Sequence, residues 1–202
     1  VMARSWFGSL AGGPASADSR LVWYLALATI PAGLVGLAAG DYIESELRKL
    51  PVIATTTLVF GLLLGIADRR AVAAGAGRSL NLGLALAIGM AQALAPVPGV
   101  SRSGITITAA LLLGMDRQGA ARFSFLLSIP IIASAGALKT WELSHSTLPV
   151  DWLILGLGAV IAGVTAYSCI ALFLRLLDRT GMMPFVYYRL VLAGVLYYLW
   201  IA

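Results

Sequence analysis

Apolar residues run along this chain in long blocks joined by short charged connections. The blocks are Leu21–Gly40, Val52–Ala67, Phe123–Leu138, Trp152–Leu174 and Phe185–Ile201. A helix needs about 20 apolar residues to cross a hydrocarbon core of ~30 Å. Val52–Ala67, at about 16 residues, is short for it. The pattern predicts about five transmembrane helices. Pro31 and the pair Gly36/Gly40 predict a kink and a close helix contact in the first; Gly61/Gly65 predicts a second close contact. Residues 1–20 are rich in Gly, Ala and Ser, and Val1–Leu10 reads as the tail of a preceding helix.

Residues 80–115 break the pattern. An apolar arm runs to about Ala95, then comes Pro-Val-Pro-Gly-Val-Ser-Arg-Ser-Gly, then a second arm, Ile105–Met115. The second arm is about half of a crossing. A re-entrant helix–loop–helix hairpin fits, because irregular backbone is tolerated at membrane depth where protein or a wet cavity surrounds it.

Charge tests this topology. With a hairpin that enters and leaves on one side, segments 1–20, 68–79, 116–122 and 175–183 share a face, and their net charges are +1, +2, +1 and +1. The opposite face holds 41–51 and 139–151, each at −1. The positive-inside rule then places the arginine-rich face in the cytoplasm. One full crossing at 80–115 would scatter those arginines over both faces.

Composition agrees. The chain is 60% hydrophobic and 11% charged, which excludes an ordinary soluble domain. Its net charge of +5 lies in short loop clusters and does not mark a nucleic-acid surface. The single cysteine, Cys169, forbids an intrachain disulfide and reads as a packing residue. Trp141, Trp152, Tyr187, Tyr188, Tyr197, Tyr198 and Trp200 read as interfacial aromatics. His145 reads as a surface histidine, and Asp41, Glu44, Glu46, Asp68, Asp116, Glu142, Asp151 and Asp178 as solvated helix ends.

The chemistry concentrates at Pro98–Thr106. An arginine in an apolar block is costly and calls for an anionic partner. Pro98 and Gly99 allow a tight turn, Ser101 or Ser103 can cap the second arm, and Gly104 lets backbone approach a ligand. The second arm then starts with free N–H groups and its positive dipole end at the turn, which suits a phosphate. Arg102 adds a forked cation, and Ser101, Ser103 and Thr106 add hydroxyls. Gln92 lies about one and a half turns before Pro98 and reads as interhelical glue or as part of the site; Arg189 reads as a snorkelling cation or as the partner of a buried anion.

At these residues the chain resembles the undecaprenyl-diphosphate phosphatase, or bacitracin-resistance, family. The likeness rests on Gln92-Ala-Leu-Ala-Pro-Val-Pro-Gly-Val-Ser-Arg-Ser-Gly-Ile-Thr106, on Phe123-Ser-Phe-Leu-Leu-Ser-Ile-Pro130 and on Pro184-Phe-Val-Tyr-Tyr-Arg189, in the family's order and spacing. The resemblance implies an all-α integral membrane enzyme with two re-entrant hairpins related by an inverted repeat. It implies a multi-pass protein of the bacterial inner membrane that hydrolyses undecaprenyl diphosphate, recycles the carrier lipid for cell-wall synthesis and confers bacitracin resistance. It implies catalytic roles for Arg102, Ser101, Ser103 and Thr106, and substrate contacts at Gln92, Gly99, Gly104, Ser124 and Arg189.

The family's first hairpin, with a glutamate pair and a Pro-Val-Ser-Ser-x-Gly-His segment, has no counterpart here. Residues 1–202 are therefore expected to be a single membrane domain, truncated at its N-terminus, that holds half of the site. The Mg²⁺ or Ca²⁺ that the family uses is expected to take its ligands from the missing hairpin, and whether a serine or water attacks stays open. The expected partners are the polyprenyl diphosphate and the membrane, with no nucleic acid; a homodimer is left open. A transporter or lipid flippase with a midplane phosphate site is the alternative, since broken helices aimed at anions are common there.

Overall fold

In the computed structural model, which describes residues 17–75, 77–145 and 151–202, seven helices follow one another. These are α1 (Ala17–Glu46), α2 (Leu50–Ala73), α3 (Leu82–Gln92), α4 (Arg102–Leu112), α5 (Arg117–Ser144), α6 (Trp152–Thr180) and α7 (Met183–Ile201). No strand occurs among the described residues. Five helices, all but α3 and α4, are long and apolar enough to cross a membrane.

The helices are longer than the apolar blocks predict. The second crossing has 24 residues and is not short. It continues through Asp68, Arg69 and Arg70 because Asp68 is neutralised from outside the helix. Arg117 at the start of α5 donates to both carboxylate oxygens, from Nε at 2.6 Å and Nη2 at 2.8 Å. Asp68 is 1% exposed, so its reading as a solvated helix end is wrong. A buried carboxylate holds its charge only where it is paired in this way. Cys169, read as a packing residue, is instead exposed on α6. His145 is exposed at the end of α5, as read from the sequence.

α3 and α4 have 11 residues each, about 16 Å at 1.5 Å per residue, half of the hydrocarbon core. They pack on each other. The amide of Arg78, before α3, donates to the carbonyl of Gly114, after α4, at 2.9 Å. The segment therefore begins and ends at one place, as a hairpin must. The contacts at its base lie with the arginine-rich loops. Arg117 pairs with Asp68, Gln118 bonds Asp178 at 2.5 Å, and Gly181 has its Cα hydrogen facing the Arg117 guanidinium. Segments 68–79, 114–122 and 174–182 thus meet at one end of the bundle, as the charge pattern requires.

In lipid there is little hydrophobic force between helices, so close packing at small residues decides which helices adhere. A Cβ on Gly61 would sit 3.0 Å from Cβ of Arg189, and one on Gly65 would sit 3.3 Å from Val186. The Gly61/Gly65 pair is thus the seam between α2 and α7. The Gly36/Gly40 pair meets nothing within 4 Å; α1 instead packs its Ala28 backbone against Gly89 of α3. α1 also runs unbroken through Pro31. Among the described residues α6 stands at the edge and is anchored towards its C-terminal end, by Leu177, by Phe173 against Phe125 and Phe185, and by Gln118 at Leu174 and Asp178.

Candidate active site at the hairpin tip

The tip, Ala93–Ser101, is held in place by backbone carbonyls. Gly99 has φ +88°, and a Cβ there would lie 2.5 Å from the carbonyl oxygen of Ile53 in α2. Only glycine fits, since both the dihedral and the contact exclude a side chain. Thr56 of α2 places its hydroxyl 2.6 Å from the Pro98 carbonyl. Arg189 of α7 donates from Nη2 to the Gly99 carbonyl at 2.7 Å, and from Nε to the Thr57 carbonyl at 3.3 Å. Gly61, one turn below Thr57, gives the Arg189 stem its room. One arginine therefore ties together α2, α7 and the tip.

Ser101 caps α4. Its Oγ accepts from the Gly104 amide at 3.2 Å, and its φ is +68°, the one positive value for a non-glycine residue in the described chain. A serine held there costs on the order of 1–3 kcal/mol, and such strain collects at functional sites. The cap leaves the amides of Arg102 and Ser103 with no acceptor among the described residues, as the first turn of a helix does. Arg102 is half-buried, forms no ion pair there, and its Nη1 is buried without a partner.

A cleft of about 180 Å³ opens beside this turn. Its polar wall is Ser101, Ser103, Gly104 and Arg189, and its apolar wall includes Leu64, Ile107, Phe173 and Phe185. Gly104 matters again: a Cβ there would sit 3.3 Å from Nη1 of Arg189. That nitrogen is the one not used on the carbonyl clamps. It faces the same turn as the two serines.

The structure divides the residues singled out from the sequence. Ser101, Ser103, Gly104 and Arg189 line one cleft, with Arg102 at the same turn and Gly99 beneath it. Thr106 and Ser124 lie elsewhere. Both are fully buried and bond each other at 2.7 Å, and Thr106 also reaches the carbonyls of Arg102 and Ser103. They brace α4 against α5 behind the turn. Gln92 is fully buried and neither its oxygen nor its nitrogen has a partner. An unpaired buried amide is expensive, about 1–3 kcal/mol. Sequence reading missed Thr56 and Thr57. Three successive threonines, 55–57, inside an apolar block were the available signal.

The tip does not fit a divalent cation. Its donors are guanidinium groups, hydroxyls and amide N–H, which suit an anion, and Mg²⁺ or Ca²⁺ takes carboxylate and carbonyl oxygens. Among the described residues no three His, Cys, Asp or Glu side chains converge.

The family model for bacitracin resistance protein BacA matches residues 1–195. The chain belongs to this family. Among its BacA relatives, the undecaprenyl-diphosphatase of Colwellia psychrerythraea is 53% identical over 98% of this chain and 76% of its own length. That of Teredinibacter turnerae is 54% identical, over 95% and 73%. Undecaprenyl-diphosphatase 2 of Stutzerimonas stutzeri is 52% identical, over 96% and 73%. With five spans and this BacA membership, the chain is a multi-pass protein of the bacterial inner membrane.

Proposed function

We propose that this chain hydrolyses undecaprenyl diphosphate to undecaprenyl phosphate and phosphate, and that the hairpin tip holds the diphosphate. The chemistry recycles the carrier lipid for cell-wall synthesis and confers bacitracin resistance. The reading rests on the family together with one geometric observation. The free amides of Arg102 and Ser103 stand at the turn whose cleft Ser101, Ser103 and Arg189 line, and the Arg102 Nη1 is buried nearby in sequence with no partner.

Cleaving a phosphoanhydride is mostly a matter of positioning the phosphoryl group and neutralising its developing charge. The start of α4 offers two amides and the positive end of its dipole. Arg102 offers a permanent charge with two donors that match phosphate oxygens. Arg189 holds the loop through the Gly99 carbonyl and turns Nη1 towards the same cleft. The apolar wall receives the part of the lipid next to the diphosphate.

The test is phosphate release from undecaprenyl diphosphate by the purified natural full-length protein. Arg102→Ala removes a desolvated charge pair worth about 2–5 kcal/mol, so activity falls by roughly 30-fold to several thousandfold. Arg102→Lys restores part of it, because charge returns without the fork. Activity undiminished in Arg102→Ala would remove Arg102 from the site.

A further inference from the structure

A second cleft opens far from the hairpin tip, at the arginine-rich end of the bundle. Its volume is about 400 Å³. It lies where the base of the hairpin meets the starts of α1 and α5, and Leu21, Leu80 and Leu126 form apolar walls. Arg78 and Arg122 stand at its rim. Both are exposed and neither forms an ion pair among the described residues. The backbone of Arg78 is fixed by its bond to Gly114, and its side chain passes within 3.9 Å of where a Gly114 Cβ would lie. The one acid in the lining, Asp116, spends an oxygen on the Gly119 amide as the cap of α5.

We propose that this cleft binds the headgroup of an anionic phospholipid from the cytoplasmic leaflet, with Arg78 and Arg122 on its phosphate and the leucine walls against its upper acyl chain. Two arginines facing one apolar cleft at headgroup level complement a lipid that carries a negative phosphate above hydrocarbon. Basic pockets between membrane helices on the cytoplasmic side bind such lipids. The other exposed arginines of this end, among them Arg175 and Arg179, do not line the cleft. They border a separate cleft with Leu172 and Leu176, in which Asp178 sets a negative charge between them.

Native mass spectrometry of the detergent-purified protein tests this, with phosphatidylglycerol and phosphatidylcholine of the same acyl chains as probes. Phosphatidylglycerol adducts persist at activation energies that strip phosphatidylcholine. In Arg78→Gln/Arg122→Gln the retained phosphatidylglycerol falls about tenfold, and in Arg175→Gln/Arg179→Gln it does not. Equal losses in the two variants, or no loss in the first, overturn the site. Displacement of the lipid by millimolar inorganic phosphate would show a simple anion site and overturn the lipid assignment. If the double variant does not fold, exposed Arg122→Gln alone carries the measurement, with a loss expected and full retention overturning the proposal.

Discussion

Arg189 on the last helix donates from Nη2 to the carbonyl of Gly99, 90 residues earlier, at 2.7 Å. That bond connects the C-terminal helix to the turn that begins α4. It also fixes which nitrogen of Arg189 remains for the cleft. Removing it leaves the tip carbonyls bonded by the Thr56 hydroxyl, to Pro98 at 2.6 Å, and the Thr57 hydroxyl, to Gly99 at 3.4 Å. A hydrogen bond to a charged group contributes about 1.5–3 kcal/mol. Arg189→Met is expected to lower phosphatase activity by roughly 10- to 150-fold. Arg189→Lys recovers little of it, because an ammonium cannot span the Gly99 carbonyl, the Thr57 carbonyl and the cleft together. Phosphate release by the two variants, compared at matched folded fractions, checks this.

Ser101 combines a cap with strain, and two substitutions separate these. Ser101→Ala loses the cap bond to Gly104 and keeps the positive φ. Ser101→Gly also loses the cap but releases the strain. Glycine in place of a capping serine costs only a few tenths of a kcal/mol, and alanine about 1 kcal/mol. Ser101→Gly should therefore unfold at the higher temperature, by about 1–2 kcal/mol relative to Ser101→Ala. Thermal unfolding in detergent reads the difference. A reversed order would show that the left-handed backbone of Ser101 carries no strain.

Gly99→Ala faces both obstacles at once, a φ of +88° and the Ile53 carbonyl at 2.5 Å. The strained dihedral and the overpacking together cost about 2–6 kcal/mol. Most of the protein is expected to be lost from the monodisperse peak in size-exclusion chromatography. Gly36→Ala, which meets nothing within 4 Å, should elute unchanged.

Gln92 gives a contrasting case. Its amide is buried and unpaired, so Gln92→Met removes a penalty of about 1–3 kcal/mol and should leave stability equal or higher. If the amide serves the substrate, phosphate release nevertheless falls. A variant both stable and fully active would assign Gln92 to packing alone.

Asp68 and Arg117 are expected to behave as a pair. Arg117→Ala strands a buried carboxylate, at about 2–4 kcal/mol; the full cost of a broken buried pair is larger, but Arg117 is 35% exposed. Adding Asp68→Asn should return most of that stability, which a double-mutant cycle on melting curves would measure.

Much of this was legible along the chain. Five apolar blocks become the five long helices, and the half-length arms around Pro98–Gly104 become a hairpin whose ends meet at Arg78 and Gly114. The charge pattern placed the right loops together. These features are local or additive: an 11-residue arm cannot span 30 Å, and arginines disfavour one side of a membrane wherever they occur.

Other features depended on what lies opposite in space. Asp68 looked like a solvated helix end until Arg117 was found beside it. The pairs Gly36/Gly40 and Gly61/Gly65 look alike in sequence, yet only the second meets a partner. Thr106 and Ser101 are both hydroxyls of one motif, but one braces α5 and the other lines the cleft. The sequence by itself determined the membrane class, the spans, the hairpin and the position of its cationic turn, because hydropathy and charge act residue by residue. The tertiary structure decided which side chains share the cleft and that Arg189 reaches Gly99, because a hydrogen bond across 90 residues depends on how helices pack, and no local pattern encodes that.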